Sequence, residues 1–492
     1  MEYRRIMPYD IWRCGGILFF VVLFLVSCTK SEPEYVAPKI KTAFMGNVVV
    51  GGDGERMTVR ENHTLVLDNE ARGDYRLSDE ELAGNVLSFV SGGVGRSSDV
   101  RMTRSVADID IKNVRPLRGN AVMSVASNNR APVSPVVVEF NSQDGCGYAV
   151  CSADKRFEKV FSYVPYGSMD DTSKIEVLRH FYRNVEACIA DSVAVFNATV
   201  DSLRALGRRP DCSGMSSTVS LSGNQNDIIY LGEEYVPGLI KEASIGMKTK
   251  WDQGAPYNNR MPEKNDNIFV VDSKNNRAVA GCATIALAQA IAYKKHDVLP
   301  DLITSSMWND ISSRADITGS KHEDIVAQFI WHVADSIKVS YSPDGTAARI
   351  GSVFAYLYYL NNDRHIGNYE ERYALADNSY DKRHAFIFDF LYASAASKDP
   401  IIVNADLFDG TKSVGHAFLI TGTKCSDGGR YEVVGTEYNG GINKMYRLLD
   451  FECHASVECN WGWGGSSDGF YDYDNMVVGR SKVSPSYFIR VK

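Results

Sequence analysis

Gly281-Cys282-Ala283-Thr284-Ile285-Ala286-Leu287-Ala288-Gln289-Ala290-Ile291-Ala292-Tyr293 is the stretch on which the reading of the fold turns. Alanine is the strongest helix former, so a helix is expected to begin at or just after Cys282. Alanine also lets such a helix pack closely inside a domain. Cys282 would then stand at a helix N-terminus, where the macrodipole favours a thiolate. The thiolate, not the thiol, is the nucleophilic form of cysteine. The plain alternative is a buried cysteine opening a core helix, because free cysteine is among the most buried residue types.

Three further segments bear on that choice: Lys250-Trp251-Asp252-Gln253-Gly254-Ala255-Pro256-Tyr257-Asn258, Gly415-His416-Ala417-Phe418-Leu419-Ile420, and Asn460-Trp461-Gly462-Trp463-Gly464-Gly465-Ser466-Ser467-Asp468-Gly469-Phe470. In chain order they and the first stretch supply Gln253, Cys282, His416 and Asn460-Trp461. Those residues are the parts of a thiol-based acyl-transfer site: an oxyanion donor, a nucleophile, a base and an orienting amide. Each has a structural alternative. Gln253 could be a turn residue beside Gly254, His416 a satisfied structural histidine, and 460–465 a glycine-rich turn carrying two core tryptophans.

The spellings Gln253-Gly254-Ala255-Pro256-Tyr257-Asn258, Gly415-His416-Ala417-Phe418 and 460–470 resemble the streptopain family of papain-like cysteine peptidases. The resemblance covers roughly 240–492 well and 135–200 more loosely. Gln289 and Tyr293 match the family's continuation of the helix after the nucleophile. His416 lies 416 − 282 = 134 positions beyond the cysteine and Asn460 lies 460 − 282 = 178 beyond it, a range comparable with papain-type enzymes. The resemblance implies an α+β fold: a peptidase domain with a helix-rich half and an antiparallel sheet half, preceded by an α+β pro-domain. It implies Cys282 as nucleophile and His416 as its base. Gln253 and the Cys282 backbone N–H would bind the oxyanion, Asn460 would orient the imidazole, and Trp461 would shield that contact. Gly415 and the loop carrying Gly345, Thr346 and Ala347 would touch the substrate backbone. Protein or peptide substrates are implied, with a hydrophobic residue preferred just before P1, and no metal or organic cofactor. One departure is Ala283-Thr284, where the family usually has Val-Ala.

Hydrophobic residues make up 44% and charged residues 23% of the 492, ordinary for globular protein. A formal net charge of −8 with no basic run argues against a nucleic-acid partner. Residues 1–28 read as a targeting segment. Arg4, Arg5 and Arg13 precede an apolar run at 17–26 too short to span a bilayer. The run ends in Leu25-Val26-Ser27-Cys28, which resembles a bacterial lipobox with Cys28 as the lipidated residue. A plain signal peptide or an uncleaved anchor are the alternatives. The lipobox reading makes the chain an exported protein of the bacterial cell envelope that touches the membrane only through its N-terminal lipid. Of the ten cysteines, eight lie beyond that segment without regular spacing. Cys453-His454 with Cys459 lacks the second pair that a zinc site needs.

The layout then reads as a tether with short strands over 29–77, a pro-domain over 78–206, an activation linker over 207–240 and the peptidase domain over 241–492. Ser78-Asp79-Glu80-Glu81 has the capping-box pattern, and Leu82, Val86, Phe89 and Val90 mark one helical face. Val136–Phe140 and 147–156 form a strand and hairpin, 93–132 is loop-rich, and 174–206 is a long amphipathic helix. The pro-domain would act as an intramolecular inhibitor. Two rivals stand beside this reading. A non-catalytic surface lipoprotein could use the same fold to bind protein ligands. A transglutaminase-type transferase would want an aspartate where Asn460 stands.

Overall fold

The computed structural model describes residues 75–91, 109–117, 132–142, 145–172, 176–205, 228–268, 270–296, 298–342, 345–362, 369–370, 380–408, 413–438, 441–477 and 483–492. Cys28, the tether up to 74 and the Ser/Gly-rich stretch 206–227 lie outside the described residues.

The N-terminal layer opens with α1 (Asp79–Val90). Its capping box is closed: Glu81 N–H donates to Ser78 Oγ at 3.2 Å and Ser78 N–H to Glu81 Oε2 at 2.7 Å. Two orphan amides of the first turn are thereby satisfied. Strands β1 (Asp110–Pro116), β2 (Val136–Ser142), β3 (Gly145–Cys151) and β4 (Val160–Val164) follow as an antiparallel meander. The meander buries both faces. Val136, Val138, Phe140 and Ala149 pack with Leu82 and Val86 of α1. Val137, Tyr148 and Val150 face the other way, where α2 (Glu176–Ala205) lays down Leu178, Phe181, Val185 and Ile189. Strand β1 falls in the stretch expected to be loop-rich. Its sequence Asp-Ile-Lys-Asn-Val-Arg-Pro has too few apolar positions to announce a strand.

The C-terminal part begins with β5 (Ile228–Ser244). Residues 228–240 were expected inside the activation linker, but they pair with a later strand, from Ser244↔Gly422 to Ile228↔Thr436. The run Ile228-Ile229-Tyr230-Leu231 has the β-branched and aromatic character of a strand. A short ribbon, β6 (Val271–Asp272) with β7 (Arg277–Ala278), leads into α3 (Cys282–Lys294). Helices α4 (Ser305–Ser313), α5 (Glu323–Ser336) and α6 (Ile350–Asn362) surround α3, with the ribbon β8 (Ser340–Ser342) and β9 (Gly345–Ala347) between the last two. The remaining strands are β10 (Tyr369–Glu370), β11 (Ile401–Phe408), β12 (Ser413–Tyr438), β13 (Gly441–Asn460), β14 (Gly469–Asp472) and β15 (Val483–Val491).

One antiparallel sheet runs through the described residues in the order β1-β2-β3-β4-β14-β13-β12-β11-β15-β10, with β5 attached to β12. The junction is Tyr163↔Phe470 and Ser162↔Tyr471. On the C-terminal sheet the side-chain alternation separates two cores. Ile402, Ala417, Leu419 and Ile489 face α3 and its neighbours, where Trp251, Trp308 and Phe329 are buried. Val403, Phe418, Ile420 and Phe488 face a second core that contains Phe386, Trp461 and Tyr471 together with α2. Helix α3 is therefore buried nearly all round, as its alanine-rich sequence requires. The architecture is α+β. No helix among the described residues is long and apolar enough to cross a membrane.

Candidate active site

Cys282 opens α3 as its first residue, and Gly281 is the N-cap. Gly281 has φ +87°, and a Cβ there would come within 2.7 Å of the Thr346 carbonyl oxygen. Glycine thus lets β9 pass directly beside the nucleophile. The Cys282 side chain is partly exposed, and its Sγ accepts the Ala417 N–H at 3.4 Å. Burial pushes the thiol up. The charge and hydrogen bond of His416, with the N–H groups of Ala417 and Ala283, more than reverse that, so the thiol ionises below its ordinary range.

His416 sits on β12 opposite Ala405 of β11 and is only 6% exposed. Its ring leaves the strand on the aromatic side of the sheet. Trp463 lies nearly parallel to it at 5.9 Å between centroids, Trp461 at 6.1 Å and Phe418 at 6.2 Å. His416 Nε2 is buried and has no hydrogen-bond partner among the described residues. Nδ1 is therefore the nitrogen left to serve the thiol.

The expectation that Asn460 orients this imidazole is corrected. Asn460 Nδ2 donates to the Thr249 carbonyl at 2.9 Å and to Gln289 Oε1 at 3.3 Å. Asn460 Oδ1 accepts Gln289 Nε2 at 3.0 Å and Gly462 N–H at 3.1 Å. Both donors and both acceptor lone pairs of the amide are used, so nothing remains for the histidine. Trp461 shields the imidazole itself rather than an Asn–His bond. Its backbone N–H donates to Asp468 Oδ1 at 2.9 Å. Trp463 covers the imidazole as well.

Gln253 is buried, and its carbonyl accepts the Ala280 N–H at 2.8 Å. That bond ties the loop of the expected oxyanion donor to the residues leading into Cys282. Gly464 N–H donates to the Trp251 carbonyl at 3.1 Å, joining the same loop to the tryptophan turn. Thr346 is buried beside Gly281, while Gly415 and Ala347 are exposed and Gly345 half-buried. The structure thus brings Gln253, Cys282, His416, Trp461 and Thr346 to one end of α3, and turns the Asn460 side chain away.

No cluster of three or more His, Cys, Asp or Glu side chains among the described residues is arranged to hold a metal ion. His454, considered above with Cys453 and Cys459, instead pairs with Asp474 at 2.9 Å and Glu452 at 3.1 Å. All seven cysteines of the described residues are free.

A partly exposed thiol of lowered pKa at a helix N-terminus, beside a shielded imidazole on an antiparallel sheet, defines a cysteine-type peptidase. Residues 251–471 match the model of the Peptidase C10 family. No curated protein matches the sequence. Two solved structures from Prevotella intermedia are similar. One is a fragment of prointerpain A at 17% identity and TM-score 0.40, covering 77% of this chain and 98% of that one. The other is active wild-type interpain A cysteine protease at 19% identity and TM-score 0.33, covering 51% of this chain and 94% of that one.

Proposed function

We propose that this chain is the precursor of an exported, lipid-anchored cysteine endopeptidase that works through Cys282 and His416. The observation that carries the proposal is the lowered thiol of Cys282 at the start of α3, next to His416. Cys282 Sγ attacks the peptide carbonyl, and the oxyanion is received by the Gln253 side-chain amide and the Cys282 backbone N–H. The imidazolium protonates the leaving amine as the C–N bond breaks. Water, deprotonated by the same imidazole, then splits the thioester and restores the thiolate pair. The tryptophans exclude water from the imidazole, which strengthens its charge interaction with sulfur.

Residues 78–206 act as the inhibitory pro-domain in this reading, and the activating cut falls in the stretch up to 227, ahead of β5. The contact that supports it is Lys250 Nζ lying 5.7 Å from the Tyr166 ring. Tyr166 of the N-terminal layer thus lies against the segment 245–250, which follows β5 and leads into the Gln253 loop. Anchoring through Cys28 is part of the same proposal and rests on the sequence alone.

The test compares residues 29–492 of the wild type with Cys282→Ala in the presence of reductant and casein, followed by mass spectrometry. Wild type is expected to be cut within 207–227 and, once its N-terminal piece is digested, to degrade casein, while Cys282→Ala does neither. Wild-type protein that stays inert to casein even after trypsin has digested the N-terminal layer away would sink the proposal.

A further inference from the structure

The side chain of Gln289 lies on α3 seven residues beyond Cys282, close to two helical turns, and so on the same helix face. It is fully buried beside a large apolar core. A buried polar side chain in such a place is costly unless its hydrogen bonds are made. Here they are, and they reach two parts of the active site, the Trp251 backbone and the Asn460 side chain. Gln289 Oε1 accepts the Trp251 N–H at 3.1 Å, two residues before Gln253. Gln289 Nε2 donates to Asn460 Oδ1 at 3.0 Å and Asn460 Nδ2 returns a bond to Gln289 Oε1 at 3.3 Å. The two amides form a closed reciprocal pair. Through Asn460 the pair also reaches the Thr249 carbonyl at 2.9 Å and the Gly462 N–H at 3.1 Å, between the two tryptophans that cover His416.

We propose that Gln289 is a positioning residue for catalysis, a buried clamp that sets the oxyanion loop and the tryptophan turn in register with the helix that carries the nucleophile. The inference rests on the assignment of Cys282 and His416 proposed above. It also explains Asn460: the amide acts on the histidine through the tryptophan turn and not by touching the ring. Among the described residues the imidazole has no hydrogen-bond partner at Nε2, so its orientation depends on the aromatic walls, and Gln289 and Asn460 fix where those walls stand. A displacement of about 1 Å at such a site costs roughly 100-fold in rate.

The experiment reads the alkylation of Cys282 by iodoacetamide against pH in the full chain, by mass mapping of the Cys282 peptide, for wild type, Gln289→Met, Gln289→Glu and Asn460→Asp. Gln289→Met removes both arms. Gln289→Glu keeps an acceptor for Trp251 but opposes Asn460 Oδ1 with a second oxygen. Asn460→Asp does the converse from the other side. Each variant is expected to keep its far-ultraviolet circular dichroism while Cys282 alkylation at neutral pH slows by roughly tenfold, as its profile moves one unit towards that of an ordinary thiol. On matured enzyme kcat is expected to fall with KM little changed. Wild type without enhanced reactivity at Cys282 would overturn the assignment of the nucleophile. Wild type with it, and variants that fold and react as wild type does, would overturn the clamp. Loss of the fold in all three variants would also overturn it, because a merely structural amide pair predicts that result.

Discussion

Asp468 is the carboxyl that holds the tryptophan turn by its backbone, accepting the Trp461 N–H at 2.9 Å. Burial raises it to about 7, against the pull of that N–H and of the Lys250 charge. An ordinary aspartate in the unfolded chain ionises near 3.9. Between about pH 4 and 7 the folded protein therefore keeps a proton that the unfolded chain has released, and stability falls as pH rises through that window. Asp468→Asn keeps an oxygen for Trp461 and removes the titration. In the Cys282→Ala background, which prevents self-digestion, thermal melts are expected to show the Asn variant gaining on its parent by roughly 2–3 kcal/mol between about pH 5 and 8. Parallel pH profiles for the two proteins would contradict this account. Residues of this kind mark the limit of reading a chain. Cys282, His416 and Gln253 were legible because short local strings spell them. The direction in which Asn460 turns was not, because four hydrogen bonds decide it, one to Thr249, two to Gln289 and one within its own turn to Gly462. Nor was the role of Trp463, which depends on a strand that lies across from it only in the folded sheet.

At the level of elements, α3 was the most legible part of the molecule. Its alanine content specifies a helix, and a face of alanines on every side specifies burial. The capping box of α1 was equally plain. What the sequence did not announce was the close approach of β9 to the start of α3, although Gly281 is its trace. A substitution Gly281→Ala meets two obstacles at once: a φ of +87° and a Cβ 2.7 Å from the Thr346 oxygen. The backbone strain alone is worth on the order of 1–3 kcal/mol. Either β9 moves away or the helix start shifts, and both carry the β8–β9 ribbon off the thiol. The expected result is a lower melting temperature together with a loss of peptidase activity greater than the stability change accounts for. Activity that stayed within twofold of wild type would show that the Gly345–Ala347 ribbon has no part in binding substrate. Strands β1 and β5 were missed for opposite reasons. The first is too polar to look like a strand, and the second adjoins a Ser/Gly-rich stretch that drew the linker boundary past it.

On the scale of the whole molecule, strand order carries information that no local pattern holds. The N-terminal meander was legible as a separate layer, but its edge strand β4 joins β14 of the peptidase domain, and an edge-to-edge pairing between segments some three hundred residues apart leaves no mark in either one. The consequence concerns activation. Cutting the stretch before β5 breaks one covalent link and leaves the rest of the junction. Gly469 lies so close to the Tyr163 carbonyl that a Cβ would overlap it. Lys159 Nζ meets Asp472 Oδ1 at 2.9 Å across the same junction, and Lys424 Nζ caps the end of α1 through the Phe89 carbonyl at 3.0 Å. Residues of α2 share one core with Phe386, Tyr471 and Phe488. Separation would expose that apolar surface to water, at about 25 cal/mol per Å². A Cys282→Ala chain nicked by trypsin near Arg208 is therefore expected to run as one particle on gel filtration and to part only in denaturant. Lys159→Met leaves the nearly buried Asp472 carboxylate without its cation, which costs about 2 kcal/mol or more and weakens the association at least tenfold. If the nicked N-terminal piece instead elutes alone, the shared sheet and core do not hold the halves together, and the cut by itself is the activating step. If the pieces stay joined, a second event, digestion or melting of the N-terminal layer, must follow the cut before the proposed inhibitor is removed.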